Sequence, residues 1–141
     1  MRVKCAWGKF RELSPILTAR RASLKLKGKV YRTCVLSVML YDSETLAMKA
    51  EDMQRLERTE RTMIRRMCSA KLNDRMASAE LLSRLDIESV SDVVRRGRLI
   101  WFGHVERKEP HDWVSACRQI VVESVKDIGR GRPRKTWREC V

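Results

Sequence analysis

Apolar residues recur along most of the chain at intervals of three and four residues, the spacing that places side chains on one face of an α-helix. The clearest stripe lies in residues 51–68 and contains Met53, Leu56, Met63, Ile64 and Met67. Two acids, Glu51 and Asp52, open this segment. Two bases, Arg65 and Arg66, close it, and this order of charges complements the helix dipole. The pattern predicts an amphipathic helix and favours a dipole-complementing role over metal binding for the two acids.

Helix-breaking and capping residues indicate two further helices before this one. The first covers residues 3–13 and ends before Ser14-Pro15, because the residue that precedes proline avoids helical backbone angles. Ser23 can cap a second helix. The apolar stripe of that helix consists of Leu24, Tyr31, Val35, Val38 and Met39. Gly28 is expected to weaken it locally.

Serine residues also mark helix starts in the second half of the chain. Ser78 can cap a short helix that runs through Leu85, and Ser89 with Asp92 three residues later forms a capping box. The helix that this box opens ends before Pro110. Its apolar face contains Val90, Val93, Val94, Trp101 and Val105. A last helix is predicted from the apolar residues Trp113, Val114, Cys117, Ile120 and Val121.

Alternation with a period of two residues is scarce, so the expected fold is all-α: an irregular bundle of five or six helices with a disordered basic C-terminal tail. We divide the chain into a basic N-terminal helix and loop (1–22), a helical domain (23–126) and the basic tail (127–141). No apolar stretch approaches the roughly 20 residues of a membrane-spanning helix. No secretory signal is visible, so we expect an intracellular protein.

The charge of the chain is unusual in amount and in distribution. The formal net charge is +13, and residues 1–41 contain ten basic residues against the single acid Glu12. A second basic cluster without acids lies in residues 130–138, and the region between the two clusters is nearly neutral. Basic ends of this kind indicate a polyanionic partner, which inside a cell is usually RNA or DNA. We therefore expect a nuclear protein that contacts nucleic acid through Lys25, Lys27, Lys29, Arg32, Arg130, Arg132, Pro133, Arg134, Lys135 and Arg138.

Residue patterns typical of enzymes and metal sites are missing from the sequence. There is no glycine-rich phosphate loop, GxSxG turn or HExxH helix. The cysteines are odd in number and include no CxxC pair, and His104, His111, Cys117 and Cys140 match no common zinc spacing. His104 is interpreted as a packing residue of its helix rather than as a general base. We predict no catalytic residue, metal or cofactor.

The tail carries the most specific local motif, residues 129–135 with the sequence GRGRPRK. It resembles the AT-hook of chromosomal proteins, in which an extended arm inserts arginine into the narrow minor groove of A·T-rich DNA. The alternative is a solvated basic arm that contacts phosphates without regard to sequence. The residues leave both interpretations open.

Five strings in order cover nearly the whole chain: AWGKFRELSPIL, SLKLKGKVYRTCVLSVMLYDSET, RLERTERTMIRRMC, SDVVRRGRLIWFGHVER and GRGRPRKTW. Together they resemble the region behind the polymerase palm in non-LTR (LINE-type) retrotransposon reverse transcriptases, especially the RTE-like group. The resemblance implies a thumb and C-terminal region of an RNA-directed DNA polymerase, which grips template and primer beside its palm. No palm aspartate pair and no endonuclease are present, so we expect a truncated copy of a transposable element.

The chain departs from that family at four positions. The family usually has glycine and tryptophan where this chain has Asp42 and Leu46, and tryptophan and glycine where it has Arg66 and Ser69. Two alternatives to the polymerase-fragment hypothesis stay open: an independent minor-groove DNA binder that uses only the tail, and a helical interaction module or relic without selected function.

Overall fold

The computed structural model describes residues 2–46, 48–109 and 111–114, apart from the side chain of Leu72. Six helices and no strand are found in these residues, which confirms the predicted all-α fold. The helices are α1 (Arg2–Glu12), α2 (Ser14–Leu17), α3 (Leu24–Val30, continued by a π-helical segment, Tyr31–Leu36, and a last turn, Ser37–Leu40), α4 (Ala50–Met67), α5 (Ser78–Leu85) and α6 (Val90–Glu106). The tail predicted at 127–141, and all but the start of the helix predicted near Trp113, lie outside the described residues.

Side-chain caps begin two of the helices as the sequence predicts. The Ser23 hydroxyl accepts a hydrogen bond from the backbone N–H of Leu26, with a donor–acceptor distance of 3.3 Å. Ser89 accepts from the N–H of Asp92 at 3.2 Å and donates its own proton to the Asp92 carboxylate at 2.6 Å. The cap predicted at Ser78 is wrong, because the extended residue before α5 is Ala77 and Ser78 is already helical. That helix begins without a side-chain cap.

One core joins all six helices. Helix α1 packs on the second half of α3, the first half of α3 packs on α5, and α4 lies against α5 and α6. The buried apolar side chains are Ala6, Phe10, Leu17, Tyr31, Val35, Leu36, Met39, Leu40, Leu56, Met63, Ile64, Met67, Leu81, Leu85, Val90 and Val94. Because α1 and α2 contribute three of these, the first 22 residues pack with the helices that follow them.

The π-helical segment in the middle of α3 was not predicted. The wider turn changes which residues of α3 are buried. Tyr31 is buried without its neighbours, whereas Val35-Leu36 and Met39-Leu40 are buried as adjacent pairs. Two hydroxyls on the outer side, Thr33 and Ser37, donate to backbone carbonyls four residues earlier. A π-helical turn costs hydrogen-bond geometry, and here it lets one helix bury two residues per turn.

Gly28 is the point of closest approach between α3 and α5. A Cβ added to Gly28 would lie 1.9 Å from the carbonyl oxygen of Leu85 and 3.2 Å from Cγ2 of Ile87. The expectation that this glycine only weakens its helix is therefore incomplete. Its missing side chain lets the two backbones touch, and the helical cost is offset by the packing.

Helix α4 ends in a Schellman motif with Ser69 in the left-handed conformation, φ 53°. The N–H of Ala70 donates to the Arg65 carbonyl at 3.0 Å, and the N–H of Ser69 donates to the Arg66 carbonyl at 3.2 Å. Glycine is the preferred residue at this position because an L side chain strains the left-handed backbone.

We expect Ser69→Gly to raise the free energy of unfolding by about 0.5 to 1 kcal/mol, because relief of the left-handed strain exceeds the added entropy of the unfolded chain. The matched control is Ser37→Gly, the same change at an ordinary helical residue with φ −58°. That variant should lose about 0.5 kcal/mol. Urea denaturation measures both. A loss of stability in both variants would contradict the strain assigned to Ser69.

Candidate nucleic-acid interface

Three basic side chains form a stripe along the outer side of α3. Lys25, Lys29 and Arg32 are spaced four and three residues apart, so they share one helix face, and all three are exposed. Helix α3 contains no acid. Among the described residues no ion pair involves these cations. We call this surface the α3 basic face. Each of its cations can bind a phosphate without first breaking an ion pair.

Lys27 does not belong to this surface. Its side chain is only 4% exposed, and its ammonium group donates to the carbonyl oxygen of Met67 at 3.0 Å. The last carbonyls of a helix lack partners within the helix and carry partial negative charge, so a buried cation is stabilised there. The sequence-based assignment of Lys27 as a phosphate contact is thus corrected: this lysine joins α3 to the end of α4.

Arg32 also lines a cleft of about 500 Å³ between α3 and the connection from α5 to α6. Arg96 lies on the opposite wall, with Asp86 and Glu88 beside it. Arg96 is ion-paired with Glu88. Because bases and acids alternate here, the cleft lacks the uniformly positive potential that attracts a phosphate backbone. The outer α3 basic face is the better candidate.

A second unpaired basic surface was missed by the sequence analysis. Arg55, Arg58 and Arg61 are exposed on the outer side of α4, and no ion pair to them is found in the described part of the chain. We call this surface the α4 arginine face. The other exposed residues from Arg55 to Arg66 are Thr62 and Arg66, so no exposed acid lies within the α4 arginine face.

The acids of α4 explain why its outer side was overlooked. Counted along the sequence, bases and acids nearly cancel in residues 51–66. However, Glu60 is 5% exposed, and Glu57 is half-buried and accepts a hydrogen bond from the Ser91 hydroxyl at 2.7 Å. Charge grouped by helix face, rather than by segment, would have revealed the excess of arginine.

Arg66 is fixed against α1 by an aromatic ring. Its guanidinium lies 4.9 Å from the centroid of the Trp7 ring, within the range of a cation–π interaction. Further along the same two helices, Lys4 and Arg55 line a common cleft of about 440 Å³, at whose α4 end lies Asp52. The α4 arginine face therefore continues onto α1.

The most perturbed acid of the described residues is Glu60, inside the bundle. Its carboxylate accepts a hydrogen bond from the backbone N–H of Val90, the first residue of α6, at 3.1 Å. Burial raises the pKa of this carboxyl to about 7; the Val90 hydrogen bond opposes the shift, and the charges of Glu57 and Asp92 add to it. Burial also raises the pKa of the Tyr31 phenol, with a further contribution from Glu60. The position indicates a structural role at the start of α6.

Metal binding and membrane spanning find no support in the described residues. No group of three His, Cys, Asp or Glu side chains there is arranged to hold a metal ion, and none of the described helices is both long and apolar enough to cross a bilayer. Of the residues considered as zinc ligands, Cys117 and Cys140 lie outside the described residues. His104 is exposed, so it is not the core or boundary residue that the sequence suggests, although its ring lies 5.7 Å from that of Trp101. Helix α6 extends beyond the core at this point.

The structure does not test the nucleic-acid contacts predicted for the basic tail. Arg130, Arg132, Pro133, Arg134, Lys135 and Arg138 all lie outside the described residues. A scan against protein-family models and searches of curated proteins and solved structures find no match to the chain.

Proposed function

We propose that this chain is a non-catalytic nucleic-acid-binding region of a LINE-type reverse transcriptase, and that it contacts phosphates through the α3 basic face. The observation that carries the proposal is the set of three exposed, unpaired cations on an acid-free helix. Such a surface attracts a polyanion toward this side of the bundle and releases counterions when phosphates bind. The tail arginines would extend the same contact, and the natural protein partner is the palm of the polymerase.

Backbone conformation supports the polymerase resemblance independently of charge. The family usually has glycine at the positions of Asp42 and Ser69, and both residues have positive φ, 57° and 53°. Only four non-glycine residues of the described chain have positive φ, the other two being Arg75 and Asp86. Glycine is favoured where the backbone is left-handed. The two glycine positions of the family thus coincide with backbone that suits glycine in this chain.

The test removes the charge of the α3 basic face in a triple variant, Lys25→Gln, Lys29→Gln and Arg32→Gln. We expect weaker binding to a single-stranded RNA oligonucleotide and a flatter salt dependence. The slope of log affinity against log salt should fall by about 2, because each lost phosphate contact on a single strand removes about 0.7. Glutamine keeps good helix propensity, so the helical content should not change. Fluorescence anisotropy between about 50 and 200 mM salt measures the slope.

A matched control removes the same number of charges elsewhere. Arg84, Arg96 and Lys108 are already paired with Glu80, Glu88 and Asp112. Their triple replacement by glutamine should leave the slope nearly unchanged, although the net charge falls equally. Equal slopes for the two triple variants would mean that net charge alone drives binding, and the α3 basic face would lose its assignment.

A helical interaction module is the second candidate, and one surface favours it. The outer half of α6 and the segment after it expose large apolar side chains: Leu99 at 50%, Ile100 at 64%, Trp101 at 39% and Trp113 at 75%. Exposed apolar patches of this kind often mark protein contacts. Competition separates the candidates: a nucleic-acid binder should prefer single-stranded RNA, RNA/DNA hybrid or duplex DNA to heparin, whereas an interaction module whose charge serves solubility should not discriminate.

A further inference from the structure

Helices α3 and α4 each carry three exposed cations on one face, and none of these six has an ion pair within the described residues. On α1, α5 and α6 at least one cation is paired with a carboxylate of the same helix or of the loop before it: Lys9 with Glu12, Arg84 with Glu80, and Arg96 with Glu88. Helix α4 differs from these, because Glu60 is buried and Glu57 is bonded to Ser91. Its outer side therefore has three free guanidinium groups at Arg55, Arg58 and Arg61, spaced regularly by three residues.

The chemistry of this face fits phosphate better than a lipid surface. All three cations are arginines, whose planar guanidinium can bind phosphate oxygens in a bidentate manner. A helix that binds a membrane surface presents apolar side chains beside its basic ones. Here the apolar side of α4 lies in the core, and Gln54 and Thr62 are the uncharged exposed neighbours. Both are hydrogen-bonding residues.

The α4 arginine face is distinct from the α3 basic face. Lys27, on the side of α3 opposite Lys25 and Lys29, reaches the Met67 carbonyl at the end of α4. The α3 basic face is consequently directed away from α4. A stiff duplex, with a persistence length of about 50 nm, does not bend around so small a bundle without cost. A flexible single strand can pass from one face to the other.

We infer that the α4 arginine face, continued by Lys4 on α1, is a second phosphate-binding surface on the path of one single nucleic-acid strand. The inference rests on the proposed nucleic-acid binding and adds a second set of contacts and a preferred ligand class to it. Arg55 to Arg61 span roughly 9 Å along the helix axis at 1.5 Å per residue. At the roughly 3.4 Å per nucleotide of a stacked strand, that length corresponds to about two or three consecutive nucleotides.

The test uses Arg55→Gln, Arg58→Gln and Arg61→Gln together in the full chain. With a single-stranded RNA probe, the slope of log affinity against log salt should fall by about 2, as for the α3 variant. Combined with the α3 replacements, the six changes should lower it by about 4, because the two faces share no residue. The control remains the triple variant of Arg84, Arg96 and Lys108, and circular dichroism verifies the helical content of each protein.

The outcomes separate this inference from the proposed function. If the wild-type chain does not bind the RNA probe at moderate salt, both fail. If the α3 variant loses slope and the α4 variant matches the control, only the second surface is overturned. Binding to phosphatidylserine vesicles that is lost in the α4 variant, with RNA binding unchanged, would assign the face to a lipid surface and overturn the inference. Displacement of RNA by polyglutamate, an anion without phosphate, would overturn the specificity for phosphate.

Discussion

Gly28→Ala should destabilise the protein by about 3 kcal/mol, which lowers Tm by roughly 10 °C. The physical reason is the contact between helices α3 and α5, where an alanine Cβ would lie 1.9 Å from the carbonyl oxygen of Leu85. A backbone atom cannot move aside as the end of a flexible side chain can. The two helices must separate, and their buried neighbours Tyr31 and Leu81 then lose packing.

The same replacement at Gly8 is the control. Gly8 is exposed within α1, and a Cβ there would have no atom within 4 Å. Gly8→Ala should therefore stabilise the protein by roughly 0.5 to 1 kcal/mol through helix propensity alone. Thermal and urea unfolding of both variants measure the difference. If the two alanine variants shifted stability in the same direction, the close approach of α3 and α5 would be contradicted.

Periodicity predicted the helices well because each buries one apolar stripe. Residues 51–68 were expected to be helical, and α4 spans Ala50–Met67. The caps at Ser23 and Ser89 followed from local chemistry and needed no tertiary information. The role of Gly28 could not be predicted, since propensity describes one helix and a close approach involves two. The π-helical segment was missed for a similar reason: its register is set by what α3 packs against.

The candidate site was predicted less completely because charge was read along the sequence. Lys27 lies between Leu24 and Tyr31 at helical spacing, so the wheel of α3 already placed it on the buried stripe. Its partner, the Met67 carbonyl, is 40 residues away and could not be inferred. The α4 arginine face was hidden by Glu60, whose charge cancels an arginine in a count although its side chain is buried.

Glu60 also fills a gap in the stripe of α4 that the apolar residues alone left unexplained. Leu56 and Met63 are seven residues apart, and the helix turn between them must also face the core. Thr59 and Glu60 occupy it, and both are buried. Glu60 is tolerated because its carboxylate accepts the Val90 N–H at the start of α6, where a helix has unpaired donors and partial positive charge.

We expect this carboxyl to make the stability of the protein decrease as pH rises. The folded-state pKa of Glu60 is raised from 4.5 to about 7 by burial, so the native state binds a proton that the unfolded chain releases. The stabilisation is fully present below about pH 4.5 and is lost as pH rises through about 7. At 1.36 kcal/mol per pKa unit, the loss amounts to about 3 kcal/mol between those limits.

Glu60→Gln should remove this dependence, because glutamine keeps an oxygen that accepts the Val90 N–H and does not ionise. Near pH 8 the variant should be more stable than the wild type by about 2 kcal/mol, and near pH 5 the two should be nearly equal. Glu51→Gln makes the same change at an exposed residue of the same helix and should alter stability by no more than about 0.5 kcal/mol at either pH. Urea denaturation at both pH values gives the four differences. A Glu60→Gln protein that is less stable than the wild type near pH 8 would mean that the ionised carboxylate stabilises α6 more than its burial costs.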